Sequence, residues 1–396
     1  MSAATPLDGI KVLDLTRILA GPYATQKLGD MGATIWKVER PGAGDDTRAW
    51  GPPFHEGIST YFMAVNRSKR SLTLDLKKGD AVLERLVRAC DVVIENFRAG
   101  TLEDLGWSWE RIRAVNPRAI FCSISGYGQV GKHRDRPSFD VIAQGESGAQ
   151  DVTGGPEGPP MKFGLSIADL TAGMHAVEGI LLALFRRERT GLGDRVDVAL
   201  SDGMLALLTY QAQMSLSVGQ QPKRLGNGHP SIVPYQSFRA RDAWFNLGVG
   251  NEDMWRRFCR AIERPELQDD PRFRTNKDRV SNREPLVTQL AALFLERDVA
   301  SWLALFDEAE VPAGVIRDVP GALEDARTDV RGMVTTVHHP TAGDVRMVGN
   351  PVKLESRGLD PAYAPPPRVG EHTAAVLAEV GFPSAEVEDL RARAVI

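Results

Sequence analysis

Short apolar strands alternate with helical stretches from residue 11 to residue 213, and no other feature limits the fold so tightly. KVLDL (11–15), TIWKVE (34–39), SLTLDL (71–76), DVVIE (91–95), AIFCSIS (119–125) and RVDVAL (195–200) read as strands. Helical spacing falls over 22–31, from Ala81 to Ala89, from Leu102 to Val115 and from Ser201 to Gln213. Strands separated by helices lie parallel, so a doubly wound, Rossmann-like α/β domain is expected from residues 1–215. Residues 216–235 are rich in Gly, Pro and polar groups and predict a linker. Residues 236–318 predict a smaller α+β domain, with helices over 252–262, 283–296 and 299–309. The segment 319–396 is expected to return to the large domain.

The longest helical stretch is residues 163–191. From Leu170 its apolar residues recur at Met174, Val177, Leu181 and Leu184, and Arg186, Arg187, Arg189 and Gly191 close it. Asp169 falls in its first turn, where unpaired N–H groups and the helix dipole favour a negative charge. Such a carboxylate is expected to stay ionised at neutral pH and could attack an activated acyl group. A structural role is open beside this one, because Ser166 followed by Asp169 has the spacing of a capping box.

A net charge of −4 offers no global field for nucleic acid or an anionic membrane, so neither is expected as a partner. No apolar run reaches the length expected of a bilayer span, and MSAATPLDGIKVLDL lacks the features of a signal peptide. Three widely spaced cysteines (Cys90, Cys122, Cys259) suit neither a disulfide framework nor zinc, so a reducing cytoplasm is expected. The seven histidines show no metal-ligand spacing, and His338-His339 before Pro340 reads as a surface turn. No metal site is expected.

In open α/β sheets, ligands collect beyond the carboxyl ends of the strands. Four of the first five strand ends carry a cation: Arg17, Arg40, Lys77 with Lys78, and Arg98, the last beside Asn96 and Phe97. That set suits phosphates with a flat ring. Neither G-x-G-x-x-G nor G-x-x-x-x-G-K-[ST] occurs, which argues against a dinucleotide or NTP-hydrolysis site.

VLDLTRILAGP (12–22), KVERPGAGDDTR (37–48), NRSKRSLTLDLK (66–77), ENFRAG (95–100), NPRAIFCSISGYG (116–128), SFDVIAQGESG (138–148) and the Asp169 helix together resemble the class III CoA-transferases, the formyl-CoA transferase family. The motifs keep the family's order along essentially the whole chain. The resemblance implies Asp169 as catalytic nucleophile and CoA contacts at Ile18, Leu19, Ala20, Arg40, Leu74, Lys77, Asn96, Phe97 and Arg98. It implies Trp50 and Phe139 near the acyl group, with a partly buried core role equally open for Trp50, and Gly248, Val249 and Gly250 in a loop over the site. Coenzyme A enters as a substrate, with no tightly bound cofactor, and an interwound homodimer is implied. Formyl-CoA transferases have basic residues where this chain has Asp104 and Pro137, and glutamine where it has Leu19.

GNGHPSIVPYQSF (226–238), GNEDMWRRF (250–258) and VPAGVI (311–316) are similar to the branch that uses succinyl-CoA with dicarboxylic acids such as glutarate and hydroxymethylglutarate. Two rivals keep the pocket. An α-methylacyl-CoA racemase needs an acid and a base on opposite faces, and has Gly-His-Asp where this chain reads Ser138-Phe139-Asp140. A non-catalytic acyl-CoA-binding protein would not need Asp169. His175 reads as a hydrogen-bonded core residue rather than a catalytic base, His229 as either a turn residue or an acceptor contact, and Lys69-Arg70 as either phosphate contacts or solvated residues.

Overall fold

The computed structural model describes residues 5–358 and 361–396. It divides into two units: Met1–Ala149, Lys162–Val218 and Asp325–Ile396 form the first, and Gln150–Met161 with Gly219–Glu324 form the second.

The first unit is built on six parallel strands: β1 (Lys11–Asp14), β2 (Thr34–Glu39), β3 (Lys69–Thr73), β4 (Val92–Glu95), β5 (Ile120–Ser125) and β6 (Arg195–Ala199). Their spatial order is β3-β2-β1-β4-β5-β6, and every pairing is parallel. Both faces are apolar because both are covered. On one, Val12, Ile35, Val92, Ile94, Ile120 and Cys122 pack against helices α1 (Ala20–Asp30) and α4 (Ile167–Thr190). On the other, Leu13, Trp36, Leu72, Val93 and Phe121 meet α2 (Asp80–Ala89) and, from the C-terminal segment, Val376 and Leu377. The strand order reverses between β1 and β4, so their loops diverge and leave a crevice there.

α1 and α4 approach closely at Gly173. A Cβ at that position would stand 2.6 Å from the Ala20 carbonyl oxygen. α4 ends at Gly191, with φ +74° and its N–H donating to the Arg187 carbonyl. A short helix, α3 (Asp140–Glu146), lies against α4.

Several expectations need correction. The stretch from Leu102 to Val115 is two helices, Thr101–Asp104 and Trp109–Val115, because Gly106 takes φ +85° and Ser108 caps the second. Ser201 to Gln213 is likewise broken at Thr209, φ +40°. His339 is buried at the end of a hairpin strand (Val334–His339, paired with Gly343–Val348), and its Nδ1 accepts the turn N–H groups of Thr341 and Ala342. α4 itself is long and apolar enough, by length and composition, to cross a membrane. Its Ala, Gly and Ile face is core in this unit.

The second unit carries three antiparallel strands, β7 (Tyr235–Arg239), β8 (Trp244–Gly248) and β9 (Ala313–Val315), in the order β9-β8-β7. Its core is largely aromatic: Phe238, Phe245, Phe258, Phe294, Trp302 and Phe306. Helices Glu252–Ala261, Arg283–Phe294 and Val299–Glu308 cover it. Residues 150–161 and 219–235 belong with this unit rather than with the large domain or a free linker. Gly226 N–H donates to the Gly154 carbonyl at 2.9 Å, and Arg224 pairs with Asp151 at 3.1 Å.

Candidate active site

The loops after β1 and β4, with the start of α4, enclose a cavity of about 390 Å³. Asp169 lies on its wall with Ile18, Leu19, Ala20, Asn96, Phe97, Arg98 and Phe139. A neighbouring cavity of about 510 Å³ holds Arg40, Leu74 and Lys77, and Arg17, Asp46 and Phe97 line both. Residues spread over 150 positions of sequence thus meet at the β1/β4 reversal.

The first turn of α4 is not capped as the sequence suggests. Ser166 makes no side-chain cap bond; Asp140 of α3 reaches across instead, its Oδ1 accepting from Ala168 N–H (2.8 Å) and Asp169 N–H (3.4 Å). Gln144 holds the other oxygen of Asp140 at 2.7 Å. The remaining first-turn donors, Ile167 and Leu170, bond to Leu165 and Ser166 carbonyls. The helix start therefore has no spare N–H for an oxyanion.

This arrangement also changes the state of Asp169. Burial first, and then the Asp140 charge, push its carboxyl up to about 7. It is not held fully ionised at neutral pH: a second carboxylate takes the dipole's N–H groups, and the cavity wall strips its water. Burial and the charges of Asp169, Asp140 and Asp45 push the Tyr61 phenol up to about 12. Trp50, exposed, packs edge-on against Tyr61 with centroids 5.2 Å apart. Phe139, 66% exposed, presents an apolar wall.

Arg17 and Arg40 both pair with Asp46, the former at 3.2 Å. Arg134 and Arg136 complete the cationic rim of the Asp169 cavity, paired with Glu103 (3.0 Å) and Glu146. Arg17 is one of the strand-end cations expected from the sequence; Asp46, Arg134 and Arg136 were not among the expected site residues. Their signal was present, in GDDTR after a strand and in two arginines flanking Asp135. Pro137 lines the same cavity, whereas Asp104 is exposed at the end of its short helix.

Lys69 is not a phosphate contact. It is buried, donating to the Pro22 carbonyl and Asn66 (both 2.9 Å) and facing Asp14 at 3.4 Å. Arg70 pairs with Glu379. His175 is half-buried on α4 with Glu178 at 3.2 Å. In the second unit, His229 Nδ1 accepts Ser231 N–H at 3.1 Å. Gly248 ends β8, Val249 is buried in that unit's own core, and Gly250 is exposed before the helix capped by Asn251.

Residues 7–373 match the model of CoA-transferase family III. The chain belongs to that family. It is 42% identical to a mouse succinyl-CoA:glutarate CoA-transferase, over 95% of this chain and 86% of that one. It is 40% identical to an acetyl-CoA:oxalate CoA-transferase of Acetobacter aceti, over 96% and 97% of the two chains. A CaiB/BaiF family protein from Brucella suis superposes with a TM-score of 0.84 at 40% identity, covering 95% and 100%. As a family III member the chain is an enzyme, a class III CoA-transferase that exchanges CoA between an acyl-CoA and an acid. The non-catalytic reading falls with that membership.

Proposed function

We propose that the chain transfers CoA from succinyl-CoA to a dicarboxylic acid through covalent intermediates on Asp169. The observation that carries this reading is the Asp169 carboxyl on a cavity walled by the β1 and β4 loops. An Asp169 oxygen attacks the thioester carbonyl, the C–S bond breaks, and a succinyl-aspartyl anhydride forms with CoA thiolate. The thiolate attacks the aspartyl carbonyl and expels succinate, leaving an aspartyl-CoA thioester. The acceptor carboxylate displaces the thiolate to form a second anhydride. Thiolate attack on the acceptor carbonyl then frees the new acyl-CoA and Asp169. No net proton is consumed, and one demanding exchange becomes four easier steps.

A partly desolvated carboxyl near neutrality is a stronger base and nucleophile than one at 4, while its ionised fraction at pH 7 is still large. Succinyl-CoA as donor is supported by the succinyl-CoA:glutarate relative, while an acetyl-CoA:oxalate relative of similar identity is why the acid panel below is broad. Phe139 has no proton to exchange, which weighs against a racemase. Three unpaired, buried cysteines support a cytoplasmic setting.

The test is turnover of succinyl-CoA with a panel of mono- and dicarboxylic acids, read by acyl-CoA chromatography, for wild type and Asp169→Ala. Wild type is expected to prefer dicarboxylates, with a CoA adduct on Asp169 in the mass spectrum. Transferase activity surviving in Asp169→Ala overturns the mechanism.

A further inference from the structure

The loop from β1 to α1 borders the Asp169 cavity in a shape that its own residues do not favour. Ile18 is β-branched, yet its φ is +71°, in the left-handed region that suits glycine. Side chains from three other segments hold the backbone there. Lys37, on β2, is wholly buried; its Nζ donates to the Thr16 carbonyl (3.0 Å) and to Asp45 Oδ2 (2.8 Å). Asp45, equally buried, accepts from Ile18 N–H (3.3 Å) and from the N–H and hydroxyl of Thr47 (2.9 and 2.8 Å). Asn96 clasps Arg17, accepting from its N–H at 2.9 Å and donating to its carbonyl at 2.7 Å.

Charge inside a parallel strand is costly, because a buried ion pair often stabilises no more than apolar residues of the same volume. Stability therefore gives a weak account of Lys37 and Asp45. Their bonds to Thr16 and Ile18 give a better one. We propose that the buried Lys37–Asp45 pair is a positioning device for acyl-CoA recognition, holding the Arg17–Ala20 loop in the strained shape that borders the Asp169 cavity. The proposal rests on reading that cavity as the CoA site. The pair acts through the loop backbone and is not itself catalytic.

Coenzyme A itself is the probe, titrated calorimetrically into the full chain. Lys37→Met/Asp45→Asn removes both charges together, so neither is left buried alone. The double variant is expected to weaken CoA binding about tenfold, the scale of losing a charge-assisted contact, with an unfolding midpoint near wild type. Adding Ile18→Gly removes the steric cost of positive φ and is expected to recover part of that loss. A purely structural pair would move the midpoint and spare the affinity. If the double variant does not fold, Lys37→Gln, which keeps a donor for the Thr16 carbonyl, is expected to show a smaller loss with the same glycine rescue. A folded variant that binds CoA as wild type does, or a loss that Ile18→Gly leaves unchanged, overturns the positioning role and leaves the transferase reading standing. A wild-type chain that does not bind CoA overturns both.

Discussion

A carboxyl poised near 7 makes the proposed nucleophile itself the natural source of pH dependence. On the proposed mechanism only ionised Asp169 attacks, so kcat/KM is expected to rise with pH through about 7 and then level. Glu95, whose carboxylate accepts Phe97 N–H at 2.7 Å, is also pushed up to about 7 by burial, so the position of the limb cannot assign it. Asp140→Asn can. It keeps a capping acceptor for Ala168 and Asp169 while deleting the charge that helps raise Asp169, and the acid limb is expected to move to lower pH. An unmoved limb places the titration elsewhere. Linkage gives a companion test. The folded pKa of Asp169 lies above its unfolded value, so its stabilising contribution is complete below the unfolded pKa and lost as pH rises through about 7. Asp169→Asn is therefore expected to gain thermal stability relative to wild type at pH 8 and not at pH 4. At the rim, Asp46 occupies two cations, Arg17 and Arg40, that a CoA phosphate would use. Asp46→Asn should lower the Kd for CoA a few-fold and steepen its salt dependence, since exposed pairs of this kind hold only about 0.2–1 kcal/mol. Unchanged binding in titrations at low and high salt would show that Asp46 does not compete.

The elements that build the site were legible where one period dominated. β2, α2 and the closing glycine of α4 follow directly from apolar spacing, and Asp169 stands in the first turn as its sequence context suggests. Its cap was not legible, because Asp140 lies 29 residues away and a local Ser166 offered a plausible substitute. The burial of Lys37 was not legible for another reason: TIWKVE reads as a strand, and nothing in its sequence shows that its two charges lie inside. Both are buried, Glu39 holding Arg48 through two bonds of 2.7 Å. Close approach of helices is likewise invisible until α1 and α4 are placed together. Gly173→Ala would set a methyl group 2.6 Å from the Ala20 oxygen, backbone that cannot swing aside. The expected cost is about 1–3 kcal/mol in urea unfolding, with a raised KM for acyl-CoA because Ala20 ends the ligand loop. Wild-type stability in that variant would mean that the two helices part without strain.

Surface left uncovered in the first unit bears on how the whole molecule assembles. The outward side of α4 exposes Leu181, Leu182 and Phe185, the last two at 63% and 59%, and the helices after it expose Leu205, Leu207, Tyr210, Leu216 and Val218. Thr209–Val218 buries none of its residues. Large apolar side chains exposed in this number are the kind of surface that an interface covers. It also explains how a core helix acquires the apolar composition of a membrane span: one face packs on the sheet, and Leu181, Leu182 and Phe185 keep the exposed side apolar as well. The homodimer that the family resemblance implies would cover this face with a second copy of the chain. Sedimentation at micromolar concentration is expected to give twice the chain mass without added lipid. Leu182→Glu/Phe185→Glu, which places two charges on the exposed face while leaving the buried alanine and glycine face intact, should shift the species to monomer and lower solubility little. A variant that stays dimeric assigns the contact to another surface, and a wild-type monomer that partitions onto lipid vesicles would give α4 a membrane role instead.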